Sequence, residues 1–196
     1  MQLAFEDLRK LYLEDRKSAG QIARLLKCSE HKVNYWLTKY GIEKRSISEA
    51  VYAYCNPNGD PFLIHAPENI SEGKLFGLGL GLYWGEGNKR NLSSIRLGNT
   101  DPRLINIFIS FLEKFYNIKR QKLRFGLQIF SDMSIQNALI FWQKELEVPR
   151  AQFQKVIVTP SRGVGTYRNK TKYGVLTVHY NNKKLRNIIC QTIENM

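Results

Sequence analysis

Apolar positions along the chain change period twice, and each change marks a new kind of element. In residues 3–14, Leu3, Leu8, Leu11 and Tyr12 fall at helical spacing; residues 18–26 repeat it with Ile22, Leu25 and Leu26. Ser29 is placed to cap a third helix, Glu30 to Tyr40, that packs through Val33, Trp36 and Leu37. The pattern lapses over residues 51–73, where Asn56-Pro57-Asn58-Gly59-Asp60-Pro61 and Pro67-Glu68-Asn69 break helix and strand alike, so this stretch reads as a linker with His65 incidental in it. Beyond it, an almost wholly apolar helix runs from Lys74 to Gly87. Asp101-Pro102 then caps a helix to Tyr116 with Leu104, Phe108, Phe111 and Phe115 on one face. Strand-like runs at 92–98, 123–130, 153–159 and 174–180 alternate with amphipathic helices near Ser134 to Leu146 and Asn182 to Ile193. The expectation is an α+β chain with a three-helix domain over residues 1–50, a linker over 51–73 and a larger domain over 74–196.

With 43% hydrophobic and 12% aromatic residues in 196, the chain can bury a core, which excludes disorder as the ground state. Its formal charge is +13, and residues 75–196 hold 19 basic against 7 acidic side chains, so a polyanionic partner is expected for the C-terminal part. Cys28, Cys55 and Cys190 show no ligand spacing, which argues against a disulfide framework or a zinc site. The N-terminus lacks the pattern of a signal peptide, and the longest near-apolar run, Leu75 to Trp84, is about half of the ~20 residues that span a bilayer. A cytoplasmic, nucleoid-associated protein without a membrane partner is the expectation.

The segment Gln21-Ile-Ala-Arg-Leu-Leu-Lys-Cys-Ser-Glu-His-Lys-Val-Asn-Tyr-Trp-Leu37 resembles the helix-turn-helix of resolvases, invertases and many repressors. Ala23 stands where two helices cross, Ser29 opens the second helix, and Lys27 occupies the turn position where the family usually has glycine. The resemblance implies that the helix from Ser29 lies in a major groove, with Glu30, His31, Lys32, Asn34 and Tyr35 near base edges or phosphates. Residues 41–50, with Lys44 and Arg45, would continue along the DNA backbone as an arm.

Lys74-Leu-Phe-Gly-Leu-Gly-Leu-Gly-Leu-Tyr-Trp-Gly-Glu-Gly87 is the most informative stretch. Each glycine in a helix costs about 1 kcal/mol relative to alanine, so the sequence must gain from them elsewhere. Gly77, Gly81 and Gly85 recur every fourth residue and form a smooth face on which a second helix backbone can pack closely. Glu86 follows at the C-terminus, where free carbonyls favour a cation. Gly79-Leu-Gly-Leu-Tyr-Trp-Gly-Glu-Gly87 resembles the LAGLIDADG motif of homing endonucleases, with Glu86 in the place of the metal-binding acid. The resemblance implies a curved antiparallel sheet with flanking helices across residues 74–196. It also implies Mg²⁺ or Mn²⁺ held by Glu86 for phosphodiester hydrolysis. With one motif in the chain, it implies a homodimer on palindromic or near-palindromic double-stranded DNA, Tyr83 and Trp84 supporting the helix pair from its flanks.

Family members lay their sheet along the major groove. In residues 123–130 the period of two puts Leu123, Phe125, Leu127 and Ile129 on the core face and Arg124 and Gln128 on the other. Ser94 and Arg96 are expected to form a similar outward pair, Arg and Gln being the side chains that read guanine and adenine bidentately. Arg162, Arg168, Lys170 and Lys172 lie in a glycine-containing loop suited to phosphates, and Lys172 and Lys155 are candidate basic catalytic partners. Three functions fit: a metal-dependent site-specific endonuclease; a non-catalytic regulator, since sporulation regulators combine such a degenerate core with a helix-turn-helix; and maturase-like RNA processing, which fits the charge but not the helix-turn-helix.

Overall fold

The computed structural model describes residues 2–88, 90, 92–161 and 171–196, and divides into two compact units, Met1–Pro61 and Phe62–Met196. In the first, α1 (Phe5–Arg9) continues into a π-helical turn (Lys10–Glu14), followed by α2 (Ala19–Leu25), α3 (Glu30–Lys39) and α4 (Ile47–Cys55). Leu3, Leu8, Tyr12, Ile22, Ala23, Val33, Leu37 and Ile42 form its core. Local chemistry sets the helix starts. Ser18 and Gln21 form a reciprocal capping box at α2, and the Ser29 hydroxyl accepts from the Lys32 N–H at α3.

Between α2 and α3, Lys27 takes φ +49°, the left-handed region that favours glycine. Its side chain is exposed. Lys27→Gly is therefore expected to stabilise this unit by up to about 1 kcal/mol, read as a higher urea midpoint with an unchanged slope.

Two sequence expectations are corrected here. Residues 47–55 are helical, because the capping box of Ser46 with Glu49 starts a helix that Asn56-Pro57 ends, so the stretch read as a linker from residue 51 begins inside a helix. At the other side, the Asn69 side chain accepts from the Glu72 N–H and starts the glycine-rich helix at Ile70 rather than at Lys74. Phe62 is already buried in the second core, and the N–H groups of Leu63 and His65 donate to the carbonyls of Tyr116 and Phe115.

The second unit contains α5 (Ile70–Glu86), β1 (Ile95–Asn99), α6 (Pro102–Tyr116), β2 (Arg124–Phe130), α7 (Ile135–Leu146), β3 (Ile157–Thr159), β4 (Val175–Tyr180) and α8 (Lys183–Glu194). The fold is α+β, with eight α-helices and a four-stranded sheet among the described residues. The sheet order is β1-β4-β2-β3; β4 is antiparallel to both its neighbours, whereas β2 and β3 run parallel. The expected antiparallel sheet is thus corrected to a mixed one. The reason lies in the connection: α7 carries the chain from β2 back to the end at which β2 began, and a strand entered that way runs parallel.

Inward side chains alternate as the period of two requires. Ile95 and Leu97, Phe125, Leu127 and Ile129, and Leu176, Val178 and Tyr180 pack beneath α6, whose Ile105, Phe108, Ile109, Phe111, Leu112 and Phe115 are fully buried. Trp142 of α7 closes the core and donates its indole N–H to the Tyr173 carbonyl at 2.9 Å. The opposite face of the sheet carries Arg96 and Gly98, Arg124, Gly126 and Gln128, and Val175, Thr177 and His179.

Candidate nucleic-acid interface

The glycines of α5 divide into two sets by what surrounds them. At Gly73, Gly77, Gly81 and Gly85 an added Cβ would meet no atom within 4 Å. Gly79, on the other side of the helix, is buried, and a Cβ there would lie 2.1 Å from Cγ of Phe111. The face predicted from Gly77, Gly81 and Gly85 is therefore solvent-facing and one turn longer than expected. Ile70 (81% exposed), Leu78 (54%) and Trp84 (67%) stand on the same side. This exposed face runs for about four turns and is apolar apart from Lys74, and a strip of that kind is unusual unless something covers it. Tyr83 departs from expectation: it points into the core, 4% exposed and stacked on Phe108 with ring centroids 5.9 Å apart, so it supports the helix from within.

Glu86 ends α5. Gly87, the next residue, bridges to Leu97, and the Asn88 N–H donates to the Arg96 carbonyl at 2.9 Å, so the main chain at Glu86 is fastened to the free edge of β1. The Glu86 carboxylate is exposed and takes no hydrogen bond or ion pair among the described residues. No group of three His, Cys, Asp or Glu side chains able to hold a metal is found among the described residues.

The candidate lysines are not brought to it. Gly87, Leu97, Val178, Phe125 and Phe153 lie side by side across the sheet. Four strand spacings of about 4.8 Å put Phe153, and Lys155 just beyond it, roughly 19 Å from the Gly87 edge. Lys172 precedes β4 at its other end, in a groove with Asp132, Ser134, Asn137 and Phe141.

On the polar face of the sheet, pairing aligns residues in rows. Arg96, His179 and Arg124 form one row over β1, β4 and β2; Gly98, Thr177 and Gly126 form the next; Val175 and Gln128 the third, with Ile157 of β3 beside Gln128. Arg124 and Gln128 face outward as predicted. The Arg124 Nη1 donates to the carbonyls of Gln121 and Leu123, and the Gln128 amide donates to Thr159 Oγ1 at 3.0 Å. Ser94 does not face outward: it is 1% exposed, and its Oγ accepts from Arg96 Nε at 2.9 Å, fixing the stem of Arg96 while its terminal nitrogens take no partner among the described residues. His179, between the two arginines, is held below its usual pKa of 6.5 by burial and then by the Arg96 charge. A neutral imidazole, with one donor and one acceptor, therefore sits at the middle of this row at neutral pH.

In the N-terminal unit, Ser29, Glu30, His31 and Tyr35 are exposed on α3, and Lys32 and Asn34 are partly so. The Lys39 ammonium lies 4.7 Å from the Trp36 ring centroid, next to Tyr35. Lys44 is exposed. Arg45 is spent within the fold: its guanidinium donates to the carbonyls of Tyr12, Arg16 and Lys17 and stacks over the Tyr12 ring at 4.3 Å, so it clamps the end of the π-helical turn instead of reaching outward. Arg162, Arg168 and Lys170 lie outside the described residues. The row around His179, the two glycines beside Thr177 and the buried role of Gly79 were not read from the sequence; strand register supplies the first two, and only the position of Phe111 reveals the third.

No helix among the described residues is long and apolar enough to cross a membrane. Comparisons with protein-family models, with curated proteins and with solved structures give no match to this chain.

Proposed function

We propose that this chain is a site-specific double-stranded-DNA-binding protein that works as a homodimer through α5 and hydrolyses phosphodiester bonds with divalent metal held between paired Glu86 carboxylates. The observation that carries the reading is the exposed glycine-lined face of α5 with an unpartnered glutamate at its end. Two copies related by a two-fold axis would cover Ile70, Leu78 and Trp84 and bring two Glu86 side chains together. The basic excess and the arginine-bearing sheet face supply the polyanion surface, and α3 a second, smaller one.

The donor set fits Mg²⁺ or Mn²⁺ only as a pair. Mg²⁺ commonly takes one or two carboxylates with water and substrate phosphate completing its shell, and Glu86 from each protomer provides that number. When bound, the metal would polarise the phosphodiester and activate water. The residues themselves orient the substrate: Arg96 and Arg124 toward phosphates or guanines, Gln128 toward a base edge.

A second reading is a DNA-binding regulator without catalysis. It is favoured by the placement of Lys155 and Lys172, the two candidate basic partners, away from Glu86. Both readings meet in one experiment: incubation with a randomised duplex library and Mg²⁺ or Mn²⁺, recovering bound and cut molecules, with sedimentation run alongside. Cleavage at one symmetric site by a dimer is the expected result. Selective binding without cutting assigns the regulator; a monomer that neither binds nor cuts removes both.

A further inference from the structure

The polar face of the sheet has a shape that composition does not convey. Gly98 and Gly126 flank Thr177, so one row across β1, β4 and β2 carries a single short side chain, and the row beside it carries Arg96, His179 and Arg124. The result is a shallow trough with a cationic wall. The His179 side chain makes no hydrogen bond among the described residues, and its Nε2 lies 3.0 Å from where a Cβ on Gly126 would stand; the Gln154 Oε1 lies 3.6 Å from the same point. The imidazole therefore leans over Gly126 into the trough and has room there only because Gly126 lacks a side chain. Its two partners in the row, Arg96 on one strand and Arg124 on the other, are cations, so an electron-rich ligand is favoured over a cationic one.

We infer that His179 is the central base-reading side chain of the sheet, hydrogen-bonding one base pair in the major groove of duplex DNA, with Gly126 giving the imidazole the room it takes there. The inference rests on the DNA-binding reading above. Major-groove edges present N7 and O6 acceptors beside amino donors, and a neutral imidazole matches such a donor-acceptor pair while the arginines engage adjoining guanines or phosphates. In a homodimer the same contact recurs once in each half-site.

The test uses the full chain and a randomised duplex pool, with bound molecules recovered and sequenced for wild type, His179→Gln and Gly126→Ala, each checked for an unchanged urea midpoint. His179→Gln is expected to lose about tenfold of the preference at one base pair per half-site while other positions keep theirs. Gly126→Ala, whose methyl presses on Nε2, is expected to disturb the same base pair. If wild type selects a site and both variants retain every preference, His179 is not the reader and the DNA-binding reading stands without it. If wild type selects no duplex, or prefers RNA of the same sequence in competition, the inference and the reading it rests on both fall.

Discussion

Replacing Gly77 and Gly81 together with alanine is expected to make each chain more stable and to take the dimer apart. An added methyl meets nothing within 4 Å at either position, so the folded chain gains helix propensity without a clash, about 1 kcal/mol per site. In a two-fold pair of α5 helices the same four methyls would stand between two closely packed backbones. Association is expected to weaken by roughly five- to 150-fold, since overpacking at such a contact costs about 1–3 kcal/mol. Gly79→Ala, two residues from either, is the control of opposite sign. Its Cβ would lie 2.1 Å from a carbon of Phe111, a ring fully buried against Phe108, Phe115 and Tyr116, and a loss of about 3 kcal/mol or more is expected. Urea melts at concentrations where wild type is also monomeric measure the first effect, and sedimentation velocity the second. A double variant that is stabilised yet still dimeric would remove α5 from the interface.

That contrast also marks where the sequence stops being readable. Glycine spacing alone shows a smooth face but not which glycines belong to it. The core face was nevertheless written in the chain, since Phe76, Gly79, Leu80 and Tyr83 follow helical spacing, and reading them together would have placed Tyr83 inside. Helix starts were legible because the caps are local: Ser29, Ser134 and Asn182 each accept from a backbone N–H within three residues. Strand faces were legible on β2 for the same reason. Strand direction was not, because the parallel pairing of the three-residue β3 is decided by the path through α7. α4 was missed although Ile47, Val51 and Tyr54 recur at helical spacing behind the Ser46–Glu49 capping box, because the breakers from Asn56 onward dominate the whole stretch from residue 51. Arg45 could not be distinguished from a phosphate contact before its carbonyl partners were brought to it. Of the proposed metal site only Glu86 was legible, because a second carboxylate supplied by a symmetry mate would leave no trace in one chain.

Glu86→Gln separates what the carboxylate does in binding from what it does in cleavage. Without divalent cations, two facing Glu86 carboxylates would repel each other and the phosphates of bound DNA. At about 8 Å and an effective dielectric of ~20, one such pair of unit charges costs roughly 2 kcal/mol. The amide removes that repulsion while keeping the length of the side chain. In chelator, Glu86→Gln is therefore expected to bind a selected duplex about tenfold more tightly than wild type, with no change in the salt dependence that reports phosphate contacts. Adding Ca²⁺ or Mg²⁺ is expected to tighten wild-type binding and leave the variant unchanged, and cleavage, where wild type shows it, is expected to disappear in the variant. Titration by fluorescence anisotropy with and without divalent ions measures all but the last. Equal affinities for the two proteins in chelator and in metal would mean that Glu86 faces neither a second carboxylate nor the DNA, and the paired metal site would have to be abandoned whatever the sheet binds.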